Sequence, residues 1–242
     1  MFVHYRTKGI ILKKENRGEA DQLFTIYTED FGKIDVLAKS IRKIDSKLRS
    51  GAELFYFSEI EFIQGKNNKK LTDAILINNF KNIKEDLKRL SIANKVSVIL
   101  NGVIRGQERD DQIWVLLLEI FEKLNNRKIE DKNIFLIFYY FTWNLLNILG
   151  YQIDLYNCVF CQEKLIPEKL SFSSEDGGII CNKCSKNIKD KTIVLPEIIK
   201  ILRIIVKKHW KILERIKIDE NLQKILKIIT QQYSNIALSE KE

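Results

Sequence analysis

Gln22-Leu-Phe-Thr-Ile-Tyr-Thr28, Glu29-Asp-Phe-Gly32 and Lys33-Ile-Asp-Val-Leu-Ala38 form the stretch from which the fold is read. The first seven residues are mostly β-branched or aromatic, the next four are a turn ending in glycine, and the last six return. Two such runs joined by a short glycine-containing turn are the signature of an antiparallel hairpin. Upstream, Lys8-Gly-Ile-Ile-Leu-Lys13 is a short apolar run closed by charge. Downstream, Leu54, Tyr56, Ile60 and Phe62 are read on one face of a strand and Glu59 and Glu61 on the other. Gly65-Lys-Asn-Asn68 then turns the chain into a fifth run from Leu71 to Ile77. Five strands in under eighty residues leave no room for crossover helices. They predict a small, closed or partly open antiparallel barrel.

From about Asn79 the apolar period becomes helical, with Ile83, Leu87 and Leu90 at three- and four-residue spacing. Further helices are predicted over residues 93–105 and 111–124. Pro196 falls in the first turn of a helix bearing Ile198, Leu202 and Ile205, and a last helix carries Leu222, Ile225, Leu226 and Ile229. The change of period alone divides the chain into a barrel domain, 1–80, and a helical domain, 81–242. Residues 134–151 run eighteen positions without a charge, the lower limit for a membrane span. Asn144 and Asn147 lie in that run and no Lys/Arg cluster follows it, so a buried central helix is expected and no membrane partner.

All four cysteines of the chain stand in two matched pairs, Cys158-Val-Phe-Cys161 and Cys181-Asn-Lys-Cys184. A two-residue gap lets both thiolates of a tight turn face one centre, and two such knuckles close a tetrahedral site for Zn2+. Two disulfides are the first alternative, but Met1-Phe2-Val3-His4-Tyr5-Arg6 has no apolar leader of a secreted, oxidised protein. A redox CxxC, the second, needs one pair rather than two. Four thiolates fill the shell of a single zinc ion, so the module at 156–187 is read as structural.

Of the 242 residues 45% are hydrophobic, enough for a sizeable core, and the net charge of +9 favours an anionic partner. Only His4 and His209 are available for histidine acid–base work. No phosphate-binding G-x-x-x-x-G-K-[ST], dinucleotide G-x-G-x-x-G, nucleophile elbow or H-E-x-x-H occurs, so the chain is not expected to be an enzyme. The strongest local charge lies after the third strand: Lys39, Arg42, Lys43, Lys47 and Arg49 stand against Asp45 alone. Ser40, Ser46 and Ser50 add short hydroxyl donors suited to phosphate oxygens. A cationic loop beside a barrel face suits the backbone of a single strand, and Lys66, Lys69 and Lys70 in the next hairpin extend the same path. Phe55 and Phe57 could stack on bases, but core packing is the default for both, as it is for Trp114, Trp143 and Trp210.

These residues resemble the bacterial RecO recombination-mediator family. Thr7-Lys-Gly-Ile-Ile-Leu12 with Glu19-Ala-Asp-Gln-Leu23 is similar to its first two strands. Phe31-Gly-Lys33, Leu37-Ala-Lys39-Ser-Ile-Arg42-Lys43 and Ser46-Lys47 are similar to its most specific segment. Ser40 stands where the family has Gly, and Ile44-Asp45 where it has a Pro-containing step. Leu145 through Gly150-Tyr151, and Phe172-Ser-Ser-Glu-Asp-Gly-Gly178 before the second cysteine pair, resemble the family's approach to its zinc module. The resemblance implies an α+β chain: an N-terminal five-stranded OB-fold β-barrel, then an all-α helical domain containing a zinc-binding module of four cysteines. It implies a cytoplasmic, nucleoid-associated, non-enzymatic mediator of recombinational repair. Such proteins bind single- and double-stranded DNA and the C-terminal tail of single-strand-binding protein. They act with RecR and in some cases RecF, anneal strands, and help load RecA onto coated gaps. The residues alone leave two other classes open: a zinc-ribbon, OB-fold RNA-binding or translation-associated protein, and a zinc enzyme acting at the cysteines.

Overall fold

Strands β1 (His4–Arg17), β2 (Asp21–Thr28), β3 (Gly32–Ala38), β4 (Phe57–Gln64) and β5 (Lys69–Asn78) close into a barrel in the order β1-β2-β3-β5-β4. This is a computed structural model, and it describes residues 3–65, 68–130, 133–188 and 191–239. The hairpin read at Gln22 to Ala38 pairs Phe24 with Val36 and Ile26 with Ile34. Antiparallel β1–β4 pairing, Thr7 opposite Ile60, and a short parallel β3–β5 pair close the barrel. Alternation then does the sorting. Ile11, Phe24, Ile26, Ile34, Val36, Ile60 and Phe62 fill one continuous core, each contributing about 1.5–3 kcal/mol of transfer free energy. Tyr5 stacks on Phe62 at 5.4 Å, and Phe31 meets both rings edge-on.

The run Ile10-Ile11-Leu12 is buried throughout because β1 is covered on both sides. A bulge between Ile11 and Lys13 admits the extra residue Leu12, whose carbonyl accepts from Ser97 Oγ at 2.6 Å. Ser97 belongs to α2 (Leu87–Val103), which with α1 (Lys81–Lys84) and α3 (Asp111–Asn125) follows the barrel. Asp86 and Asp110 cap α2 and α3, each carboxylate accepting two backbone amides of the first turn. Phe55 meets Phe121 of α3 at 5.6 Å, and Phe57 meets Trp114 at 5.9 Å. These helices share one compact unit with the barrel, Met1–Asp131; the second is Lys132–Glu242.

One expectation about the barrel needs correcting. Leu54 and Tyr56 precede β4, which begins only at Phe57, although Tyr56 still packs against the core that holds Ile60 and Phe62. Phe55 takes a left-handed φ of 62°, its amide donates to the Ile11 carbonyl, and it is the buried residue of the turn.

In the second unit α4 (Ile134–Ile148) is the central helix, packed by α5 (Pro196–Val206) and α7 (Glu220–Ser239). Pro196 stands at the start of α5 as the sequence predicts. Trp143 donates its indole N–H to Thr230 Oγ1 at 2.9 Å and lies 4.4 Å from the Tyr233 ring. Asn144 is fully buried and donates to the Tyr140 and Ile205 carbonyls, so its amide serves a protein interior. No described helix is long and apolar enough to cross a membrane. Between α4 and α5 lie three short strands, β6 (Leu170–Ser173), β7 (Gly178–Ile180) and β8 (Thr192–Val194), in the order β7-β6-β8. They add a small sheet to this otherwise helical unit. Runs of three or four residues are too short to declare a period, which is why they escaped the sequence reading.

Candidate nucleic-acid interface and metal centre

The loop that leaves β3 is cationic outside and apolar beneath. Lys39, Arg42, Lys43, Lys47 and Arg49 carry its charge, and all five are exposed. Ile41 is only 2% exposed and belongs to the barrel core, and Leu48 packs against that core. Two apolar residues seven positions apart thus staple the loop and leave the cations to solvent. Sequence reasoning noted the charges and missed the staples, whose spacing was the available signal.

Backbone bonds fix the path between them. Ser40 takes a left-handed φ of 53°, and its amide donates to Asp21 Oδ1 at 2.7 Å. Arg42 N–H donates to the Ala20 carbonyl, and successive turns link Ser40 to Lys43, Lys43 to Ser46 and Ser46 to Arg49. A single 3-10 turn, Lys47–Ser50, follows. Ser50 Oγ donates to the Lys47 carbonyl at 2.9 Å, so this hydroxyl serves the turn itself. At Gly51 a Cβ would stand 1.9 Å from the Ala74 carbonyl oxygen. The loop therefore presses directly on β5, and only glycine fits.

Lys70 pairs with Leu37 and Lys69 with Val36 across the β3–β5 contact, beside the point where the loop departs. Lys69 Nζ donates to Gln107 Oε1 at 2.9 Å, while Lys70 is exposed. Lys66 lies outside the described residues. An open cleft of about 630 Å³ runs beneath the loop, lined by Ile41, Arg42, Ile44, Ser46, Arg49, Ser50 and Tyr56, with Gln22, Ala52 and Glu53. Burial pushes the Glu53 carboxyl up, yet its bonds with Lys14 and the Leu54 amide outweigh this and hold it below its ordinary value. The acid is thus neutralised by Lys14. Lys84 Nζ lies 3.7 Å from the centroid of the Tyr56 ring, a cation–π contact.

The four cysteines come together far down the chain. Cys158 and Cys161 stand on the tip of a small hairpin closed by an Asn157–Lys164 bridge. Cys181 follows β7 directly, and Cys184 opens a 3-10 turn. Val159 N–H donates to the Ile179 carbonyl and Cys181 N–H to Cys158 Sγ at 3.4 Å, tying one knuckle to the other. Phe172 of β6 meets Trp143 of α4, which anchors the module to the central helix. The four sulfurs lie within 4.8 Å of one another, with 3.9 Å between Cys161 and Cys181. A tetrahedral S4 site with bonds of about 2.3 Å requires sulfurs about 3.8 Å apart. The donor set therefore fits a metal ion.

The four thiols perturb one another. Burial raises the Cys158 thiol, but the amides of Cys181, Cys161 and Phe160 bring it down to about 6. Cys184 is pushed up to about 12, first by its hydrogen bond with Cys181. Crowded thiolates repel one another, and a bound cation is what lets all four ionise.

A closed five-stranded OB-type barrel with a stapled cationic loop, followed by a helical unit with four clustered thiols that fit a metal ion, defines a two-part barrel protein. Residues 1–80 match the family pattern described as Recombination protein O N terminal, and residues 84–240 the one described as Recombination protein O C terminal. The chain is similar to the DNA repair protein RecO of Dehalococcoides mccartyi strain 195, 33% identical over 218 residues, covering 90% of this chain and 84% of that one. It is similar to that of Thermodesulfovibrio yellowstonii, 34% identical over 227 residues, covering 91% and 88%. It also resembles that of Caldanaerobacter subterraneus subsp. tengcongensis, 29% identical with 93% and 90% covered. The chain belongs to the Recombination protein O (RecO) family, and its role is accordingly one in DNA repair and recombination.

Proposed function

We propose that the chain is a DNA-binding recombination mediator rather than an enzyme. It binds single- and double-stranded DNA through its barrel loop, anneals complementary strands, and with RecR and RecF helps RecA load onto DNA coated by single-strand-binding protein. The observation that carries this reading is the loop itself: five cations on a backbone pinned by Ile41 and Leu48, with Lys69 and Lys70 beside its root. The mechanism is electrostatic. Cations in fixed register neutralise phosphates of two strands at once, releasing counterions and lowering the repulsion that keeps the strands apart.

The metal in this reading is one zinc ion held by Cys158, Cys161, Cys181 and Cys184. With every ligand supplied by the protein no position is left for water or substrate, so zinc acts as a clip. A partner site for the acidic, apolar-ended tail of single-strand-binding protein is supported by a groove between Leu165, Ile166, Pro167, Leu170, Pro196 and Ile199, rimmed by Lys200 and Arg203. A cytoplasmic, nucleoid-associated location follows from the same role.

The test is annealing of complementary strands coated with single-strand-binding protein, with and without this protein. Faster annealing in its presence is the expected result. An unchanged rate, with DNA binding intact, would remove annealing from the account.

A further inference from the structure

Ile44 is 94% exposed, and it sits between Lys43 and Asp45 on the cationic loop. A lone exposed isoleucine means little by itself. This one, however, lines the same cleft as Arg42, Arg49, Ser46 and Tyr56. At about 630 Å³ the cleft falls within the range that holds ligands of a few hundred daltons, the size of one nucleotide. Its chemistry is divided in the way a nucleotide is. Ile44 supplies exposed apolar surface, Tyr56, which also carries Lys84, supplies aromatic surface, and two guanidiniums supply charge. The carboxylate in the lining, Glu53, is bonded to Lys14 and so does not leave an unpaired negative charge facing a phosphate.

We propose that this cleft takes one unstacked nucleotide of a single strand, its base against Ile44 and Tyr56 and its flanking phosphates on Arg42 and Arg49. The proposal rests on the DNA-binding reading above and adds what the loop does with a base. Apolar side chains that contact bases out of the stack work on any base, so the site needs no sequence preference. A duplex must first unstack and unpair a base to fill the site, which disfavours it against a strand already open. The cleft therefore selects unpaired strand, whereas the cations beside it bind either form.

The probe is a single-stranded oligonucleotide carrying 2-aminopurine, whose fluorescence rises on unstacking, alongside a matched duplex. The protein should raise the fluorescence of the single strand. Ile44→Ala should abolish that rise and weaken single-strand binding about five- to tenfold, with the salt slope and duplex affinity retained. Because Ile44 is exposed, the variant should melt like the parent. Parental fluorescence and affinity in Ile44→Ala would overturn the proposal. So would a parent protein that binds DNA without any rise, a result that leaves the DNA-binding reading standing. A parent that binds no DNA at all would remove both.

Discussion

The backbone amide of Ser40 donates to the carboxylate of Asp21 at 2.7 Å, tying the first residue of β2 to the turn from which the cationic loop departs. Ser40 holds a left-handed φ of 53° there, a conformation that disfavours any residue with a Cβ by about 1–2 kcal/mol. Ser40→Gly should therefore raise stability by about 1 kcal/mol, while Asp21→Ala should lower it by a similar amount. Urea unfolding of the two variants checks this; a destabilised Ser40→Gly would mean that the hydroxyl matters more than the backbone.

Metal removal should act on the second unit and spare the loop. Atomic emission analysis of protein purified without chelator is expected to find one zinc per chain. Cys161→Ser should lose the metal and lower the melting temperature, since binding free energy in such sites is folding free energy. Affinity for a single strand should change little, because the cationic loop belongs to the barrel. A metal-free protein with unaltered melting would refute the clip.

Arg89 is 4% exposed, and its guanidinium donates to the carbonyls of Leu124, Asn126 and Ile129, satisfying the end of α3 and the turn beyond it. Arg89→Met keeps much of the stem and deletes three charge-assisted bonds, leaving buried carbonyls without donors. A loss of about 3 kcal/mol or more is expected in urea unfolding. A loss under about 1 kcal/mol would show that water takes over those carbonyls.

Glu61 on β4 accepts from His4, Arg6 and Thr72, and these bonds, that of His4 first, hold its carboxyl at about 2 instead of 4.5. A carboxyl with a folded pKa below its unfolded value contributes stability that is complete above the unfolded value and is lost as pH falls through the folded one. Stability of the first unit should thus decline between pH 4.5 and about 2. Glu61→Gln should flatten that decline. The urea midpoint of both proteins across this interval is the measurement, and parallel curves would exclude Glu61 as a source.

Much of this fold was legible because its signals are long. Gln22 to Ala38 alternates over two strands around one glycine turn, and 134–148 is apolar on every face because α4 is buried on nearly every face. The cysteine cluster was legible because two equal spacings rarely arise together. The missing pieces are local reversals and short elements. Phe55, at positive φ, turns inward before β4 begins, and nothing in its own side chain announces that. Strands β6 to β8 are each too short for a period. At the loop, charge hid the more informative residues: Ile41 and Leu48 decide where Arg42, Lys43, Lys47 and Arg49 can point. Ser40 shows the reverse case, adopting a conformation suited to glycine with help from Asp21, a residue nineteen positions away.

The central claim is that this loop is the DNA contact, and salt dependence tests it most directly. Oligonucleotide anisotropy at a series of salt concentrations compares the parent with the combined Arg42→Ala, Lys43→Ala, Lys47→Ala and Arg49→Ala variant. Five phosphate contacts on a single strand predict a slope of log K against log salt of about −3.5, and the one cation left in the loop about −0.7. A weakened variant with that shallower slope is the predicted result. Equal affinity and an equal slope in the two proteins would place the DNA elsewhere.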